Sequence, residues 1–223
     1  MGLHDGHRQR LIQRFLEEDL DNFEPHNVLE LVLFYAIPRK DTNELAHVLM
    51  DTFGSLKGVF DAPYEELLKV GGIGPNAAAL IKLVPSLTRM YYSSEQNGVI
   101  LDSSEKSGAY FLPYFIGQTE ELVRLACLDA SGKVICNQIL HRGSVNAAEV
   151  NIRKIVNIAL RNNAIGVILA HNHPGGLPLP SEEDVWTTKR IREALLPMGI
   201  LLMDHIIVGD QDYVSMARSG ILS

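Results

Sequence analysis

The chain has 223 residues, of which 46 % are hydrophobic and 21 % charged, and its formal net charge is −7 at pH 7. This ordinary globular composition excludes a disordered chain and allows either one large domain or two small ones. The net negative charge repels phosphate backbones at long range, so tight nucleic-acid binding would require a local basic patch or specific backbone amides.

The sequence contains neither a membrane span nor a disulfide framework. No stretch approaches the roughly eighteen apolar residues that a transmembrane helix requires, and the N-terminal segment lacks the apolar region of a signal peptide. The two cysteines, Cys127 and Cys136, lie in apolar stretches without Cys-x-x-Cys spacing. We therefore expect reduced core thiols and a cytoplasmic protein with no membrane-spanning segment.

The first part of the chain, residues 1–94, has the pattern of a small all-α domain. Its helical segments begin at prolines or at Asx, Ser and Thr caps and end at glycine or proline. These segments read HRQRLIQRFLEE, PHNVLELVLFYAI, DTNELAHVLMDTFGS and APYEELLKVGGIGPNAAALIKL. The polar segment SSEQNG, residues 93–98, follows them, and we place the domain boundary there.

The segment VGGIGPNAAALIKL indicates two short helices around a Gly-Ile-Gly turn. Gly72 and Gly74 permit the tight turn, and the amides of the following helix could meet a phosphate without sequence selectivity. Lys69 and Lys82 flank the turn, but two glutamates lie close by. The interpretations are therefore weak non-specific DNA binding through residues 69–82 or a packing or protein contact.

The second part, residues 99–223, alternates strands and helices and predicts an α/β domain. LVRLACLD and KVICNQILHRG form a hairpin around ASG, and NIRKIVNIALRNN has a helical period. AIGVILAHNHP is a buried strand, SEEDVWTTKRIREALLPMG a capped helix, and ILLMDHIIVGD a further strand. His205 lies on that last strand, and we expect it to be structural.

The chemistry of the chain concentrates in HNHPGGLPLPSEED. Residues i and i+2 of a strand share a face, so His171 and His173 project together, and Asp184 in the first turn of the next helix can reach them. Alone, a His-x-His pair is more often a solvent-facing or core pair than a set of ligands, and SEED is typical of a helix start capped by Ser181. Together, two imidazoles and a carboxylate predict a catalytic zinc site with its fourth position open, and Ser181 would hydrogen-bond the reacting oxygen.

This segment fits His-x-His-Pro, six residues, Ser, two residues, Asp, and so resembles the JAMM motif of the JAB1/MPN metalloproteases. GHRQRLIQRF, AIPRKDTNELA, VGGIGPNAAALIKL, VILAHNHP and MDHIIVGDQDYVS together resemble the RadC family. The resemblance implies a helix-hairpin-helix-like domain, residues 1–94, followed by a JAB1/MPN-like α/β domain, residues 99–223, with a mixed sheet flanked by helices. It also implies one Zn²⁺ on His171, His173 and Asp184, with Ser181 beside them.

A JAMM site also needs an upstream glutamate as the acid/base. The best match is Glu121 in TEELVRLACLD, and the alternatives are the adjacent Glu120 and the later Glu149. The chain departs from the family pattern at Gly175, where a serine is usual, and in NIRK, where His-Pro-Arg-Glu is usual. The ligand positions themselves match.

The leading hypothesis is a zinc metallopeptidase that hydrolyses a peptide or isopeptide amide of a protein or peptide substrate. The alternatives are a DNA-associated protein with an accessory zinc site and a non-catalytic JAMM-fold interaction module. The sequence has no His-Glu-x-x-His, no Gly-x-Ser-x-Gly and no Pro-Cys-x-x-Cys. These absences exclude the corresponding zincin, serine hydrolase and zinc deaminase motifs.

Overall fold

The structure is a computed structural model that describes residues 3–38, 40–94, 98–143, 151–210 and 212–222. It confirms the predicted class, with a helical N-terminal part followed by helices around a mixed sheet. The chain divides into two compact units, Met1–Leu87 and Thr88–Ser223. Glu149, one of the three candidate acid/base residues, lies outside the described residues. No helix within the described ranges is both long and apolar enough to cross a membrane.

Helices α1 to α6 make up the helical region. Their bounds are Leu3–Glu18, Pro25–Ala36, Asn43–Phe53, Leu56–Asp61, Tyr64–Leu67 and Pro75–Ser94. Helix α3 ends at Gly54, as the sequence predicts, and Gly54 adopts a left-handed conformation there. The core consists of fully buried aliphatic side chains from α2 to α6 and the turns between them, among them Leu29, Leu33, Leu49 and Ile81.

Two of the sequence segments that resemble the RadC family have roles within this unit. The guanidinium of Arg8 on α1 donates hydrogen bonds to the carbonyls of Phe34, Ile37, Pro38 and Lys40, and so satisfies the carboxyl end of α2. The buried carboxylate of Glu30 accepts hydrogen bonds from His7 and Asn43 at 2.9 and 3.0 Å. The motifs GHRQRL and DTNELA are therefore accounted for by helix packing.

The second unit is built on five described strands: β1, Leu122–Leu128; β2, Val134–Arg142; β3, Gly166–Asn172; β4, Leu201–Val208; and β5, Tyr213–Ser215. They form one sheet in the order β2-β1-β3-β4-β5. Only β3 and β4 pair in parallel, and the other neighbours are antiparallel. The α-helices described around the sheet are α7, Ser104–Phe111, which the sequence patterns do not predict, α8, Ile152–Arg161, and α9, Glu182–Leu195. Short 3-10 helices, Leu112–Phe115 and Leu196–Met198, follow α7 and α9.

The sheet has an apolar core on each face. One face packs with α7, and the other packs with α8 and α9 around Leu125, Leu169 and Ile191. Cys127 and Cys136 are opposite each other on β1 and β2, and both are free thiols. Burial raises the pKa of the Cys127 thiol to about 12, which keeps it protonated and unreactive at neutral pH.

Candidate metal centre

The candidate ligands meet where β3 ends and α9 begins. His171 is paired with Val123 of β1 and Ile207 of β4, so its ring is held by the centre of the sheet. His173 lies one residue past β3, and its amide donates to the carbonyl of Val208 at 2.8 Å. This hydrogen bond continues the parallel pairing and keeps both imidazoles on the same side of the sheet.

A short loop returns the chain from His173 to α9. Gly175 has φ of +67°, a left-handed conformation that favours glycine over the serine usual in the family. Gly209, at the end of β4, lies so close to the loop that a Cβ there would come within 2.7 Å of Pro178. These glycines allow the loop to fold back against the sheet and bring the start of α9 to the histidines.

Ser181 and Asp184 form a capping box at the start of α9. The hydroxyl of Ser181 accepts from the amide of Asp184 at 3.1 Å and lies 2.7 Å from Asp184 Oδ2, to which it donates. Asp184 Oδ2 also accepts from the Ser181 amide at 2.8 Å. The predicted cap is therefore present, and it leaves Asp184 Oδ1 directed at His171.

The ligand atoms of His171, His173 and Asp184 lie within 4.8 Å of one another. Nε2 of His171 is 2.9 Å from Nε2 of His173 and 3.2 Å from Asp184 Oδ1, and Nε2 of His173 is 3.5 Å from Asp184 Oδ2. Tetrahedral ligands at roughly 2.0–2.2 Å from a zinc ion lie about 3.3–3.6 Å apart. The two distances to the Asp184 oxygens are close to this range, whereas the two nitrogens lie about 0.4 Å closer than its lower limit, so a bound ion would move the imidazoles slightly apart.

The protonation of the three groups also suits a metal. Burial lowers the pKa of His171 to about 4, so its imidazole is neutral at pH 7. Burial raises the pKa of Asp184, but hydrogen bonds from His173 and Ser181 and the nearby His171 outweigh it and hold that pKa well below its usual range. The hydrogen bond to Asp184 raises the pKa of His173. A cation would replace that proton as the positive partner of the carboxylate.

Behind the ligands, His205 and Thr188 form a chain of hydrogen bonds. Nδ1 of His171 is 2.7 Å from Nε2 of His205, whose Nδ1 is 2.6 Å from the hydroxyl of Thr188. That hydroxyl donates to the carbonyl of Asp184 at 2.5 Å. If each ring carries its proton on Nδ1, every donor has an acceptor and Nε2 of His171 is left for a metal. His205 is buried and contacts His171, a candidate ligand, from behind.

The candidate ligands line a cleft of about 280 Å³. Its lining consists of Glu121, Val123, Leu169, His171, His173, Ser181, Glu183, Asp184, Thr187 and His205. Glu121, immediately before β1, is half-buried in this lining, and its charge contributes to the raised pKa of His173. Glu120 is exposed and does not line the cleft.

Within the described part of the chain, Thr187 carries the one buried side-chain polar atom that has no hydrogen-bond partner. It is 6 % exposed and lines the cleft three residues after Asp184, on the same face of α9. Sequence patterns identify neither Thr187 nor Thr188, because threonines inside a helix carry no motif.

The Gly-Ile-Gly turn has a different character. Gly72 has φ of +96°, as its place in a tight turn requires. Lys82 donates hydrogen bonds to the carbonyls of Phe60 and Ala62, both at 2.8 Å, and Lys69 pairs with Glu66 at 2.6 Å. Both cations that flank the turn are engaged within the protein, and DNA binding through residues 69–82 stays a prediction.

Two comparisons with known proteins agree with this architecture. The model of the RadC-like JAB domain matches residues 101–221. The chain belongs to the RadC family. A UPF0758 protein of Ruegeria pomeroyi is 35 % identical over 217 residues, which cover 97 % of each chain. The RadC-like match contains β1 to β5, all three candidate ligands and Glu121.

Proposed function

We propose that this RadC family protein is a zinc-dependent metallopeptidase of the JAMM type that hydrolyses a peptide or isopeptide amide. The observation that carries the proposal is the convergence of His171, His173 and Asp184 at an open cleft that also contains the carboxylate of Glu121. A metal site that keeps room for substrate beside a potential proton carrier is typical of hydrolytic rather than purely structural centres.

When bound, Zn²⁺ would polarise a carbonyl and lower the pKa of a coordinated water toward about 7. His171, His173 and Asp184 would hold it, and the chain His171–His205–Thr188 would fix the orientation of the first ligand. The donor set also suits other divalent ions that prefer imidazole, and zinc is proposed because JAMM proteins use it.

Glu121 would move the protons. Its carboxylate would accept a proton from the attacking water and deliver it to the nitrogen of the leaving amine. Such a carrier must reach both atoms from one position, which its place in the cleft lining beside His173 supports. Glu120 faces solvent instead, which favours Glu121 between these two.

Ser181 has two candidate roles. Its hydroxyl proton is directed to Asp184 Oδ2, and in this arrangement it orients the ligand. To stabilise the developing oxyanion, as the sequence predicts, the hydroxyl would have to rotate toward the cleft that it lines. A serine can do so because its O–H rotor is not fixed by the backbone.

The proposal is tested with zinc-loaded wild type, Asp184→Asn and Glu121→Gln, each incubated with a peptide mixture and with lysine-isopeptide substrates. New amino termini, or free lysine side chains, are detected by mass spectrometry. We expect wild type to cleave at least about 100-fold faster than either variant, because Asp184→Asn removes a charged ligand and Glu121→Gln removes the proton carrier. Wild type that holds one zinc per chain yet cleaves no more than Asp184→Asn would contradict the proposal and favour an interaction module.

A further inference from the structure

The main chain around Glu121 is held by an unusual contact from β3. The antiparallel ladder between β1 and β3 ends at the pair Val123 and His171. One residue further, the side chain of Asn172 takes over from the backbone. Its Oδ1 accepts from the amide of Leu122 at 2.8 Å, and its Nδ2 donates to the carbonyl of Glu120 at 3.1 Å. Asn172 therefore bonds to the peptide groups on both sides of Glu121.

The opposite edge of this segment is fixed as well. The amide of Gly143 donates to the carbonyl of Glu121 at 2.9 Å, and Leu122 pairs with Arg142 of β2. A strand end bonded on one side only would fray, because few contacts oppose its local opening. Here the main chain at Glu121 is hydrogen-bonded on both sides, by Gly143 and by Asn172. Asn172 lies between the candidate ligands His171 and His173 in the sequence.

The chemistry of asparagine matches this contact. A carboxamide offers an acceptor and a donor together, whereas a carboxylate offers only acceptors and a serine hydroxyl reaches less far. Asn172 is only 3 % exposed, so its two hydrogen bonds are shielded from water. The segment 171–173 thus presents both histidines to the cleft, and through Asn172 it also holds the main chain around Glu121, immediately before β1.

We propose that Asn172 is a positioning residue, which sets the carboxylate of Glu121 relative to the metal ligands. The inference rests on the proposed function, in which Glu121 carries the proton. The distance between a proton carrier and the reacting atoms is critical, and a displacement of about 1 Å can cost roughly 100-fold in rate. Asn172 touches no reacting atom and acts through Glu121.

A double-mutant cycle separates positioning from general support. Asn172→Ala, Glu121→Gln and the double variant are compared with wild type, all zinc-loaded, on one cleaved substrate. We expect Asn172→Ala to lower kcat by roughly 10- to 100-fold while KM and zinc content change little. In the Glu121→Gln background the same change should have no further effect, because the residue through which Asn172 acts is already disabled. An equal loss in both backgrounds would overturn the proposal.

Two further variants guard against a trivial folding defect. Asn172→Asp keeps the size and the acceptor for Leu122 but turns an oxygen toward the carbonyl of Glu120, so we expect an intermediate loss of kcat. Asn137→Ala is the matched control, because Asn137 is a strand asparagine that also makes two side-chain hydrogen bonds, with Arg124 and Tyr110. It should leave kcat within about twofold of wild type, since neither partner lines the cleft.

Amide hydrogen exchange tests the contact without any turnover. In Asn172→Ala the amide of Leu122 should exchange at least about tenfold faster, while Leu125, paired within the ladder, keeps its rate. If wild type cleaves nothing, the proposed function fails, and exchange still decides whether Asn172 holds this segment. An unchanged Leu122 rate would overturn the inference even if the enzyme is active.

Discussion

The Gly-Ile-Gly turn of the helical unit and the His-x-His segment of the sheet unit both carry polar groups that the sequence associates with a ligand. At the turn, the ammonium of Lys82 is bonded to two backbone carbonyls and Lys69 to a glutamate. At the sheet, the candidate ligand atoms of His171, His173 and Asp184 lie within 4.8 Å of one another at an open cleft. The two lysines of the turn therefore stabilise the fold, whereas the three side chains at the sheet converge on a space in which a ligand could bind.

The two regions differ in whether the polar side chains give support to the fold or receive support from other residues. Lys82 itself provides the support, since it donates hydrogen bonds to the carbonyls of Phe60 and Ala62 at the carboxyl end of α4. The histidines are supported by other residues, because His205 and Thr188 bond the far side of His171 and leave its other nitrogen for a ligand. A metal centre therefore needs further residues that do not contact the metal themselves but orient the side chains that do.

The largest expected effect comes from Glu121→Gln. Loss of the proton carrier should lower kcat by about 10²- to 10⁴-fold, because general acid–base catalysis contributes on that order. Zinc content should stay at the wild-type level, since Glu121 is not among the converging ligand atoms. Steady-state kinetics together with elemental analysis checks both. Glu120→Gln is the control, and a larger loss there would assign the role to the exposed neighbour.

The supporting layer is tested with Thr188→Val beside Thr187→Val. Thr188→Val removes the acceptor for His205, and we expect zinc affinity to fall by about 10- to 100-fold. Thr187→Val removes a buried hydroxyl that has no partner among the described residues, so zinc affinity should hold and stability should not fall. Competition with a chelator measures the affinities. Equal affinities for the two variants would mean that the His205 chain does not support the metal.

A smaller effect is expected at the turn, where Lys82→Met removes two charge-assisted hydrogen bonds. The free energy of unfolding of the helical unit should fall by about 1–3 kcal/mol, measured by chemical denaturation, with zinc content unchanged. Duplex DNA binding that is salt-dependent in wild type and lost in Lys82→Met, at unchanged stability, would instead assign the turn a ligand.

The smallest effect is expected for Lys69→Met. Its side chain is 68 % exposed and its ion pair with Glu66 lies at the surface. Such pairs contribute under about 1 kcal/mol, so the denaturation midpoint should be nearly that of wild type. A loss of stability as large as that in Lys82→Met would show that the difference in exposure does not determine how much each lysine contributes to stability.

The convergence of the candidate ligands can be predicted from the sequence better than the contacts that support them. His171, His173, Ser181 and Asp184 lie within one short segment, so strand alternation and a helix cap are enough to bring them together. His205 meets His171 only through the register of β3 against β4, which no local pattern specifies. The same holds for Asn172, whose partners Glu120 and Leu122 precede it by about fifty residues.

Elemental mass spectrometry on untagged protein tests most directly whether His171, His173 and Asp184 hold one metal ion. Wild type and Asp184→Asn would be purified in parallel, exposed to zinc and dialysed. We predict about one zinc per chain in wild type and far less in Asp184→Asn, because the neutral amide neither carries the ligand charge nor competes for the ion. Wild type without metal, or a variant that retains as much as wild type, would contradict the account.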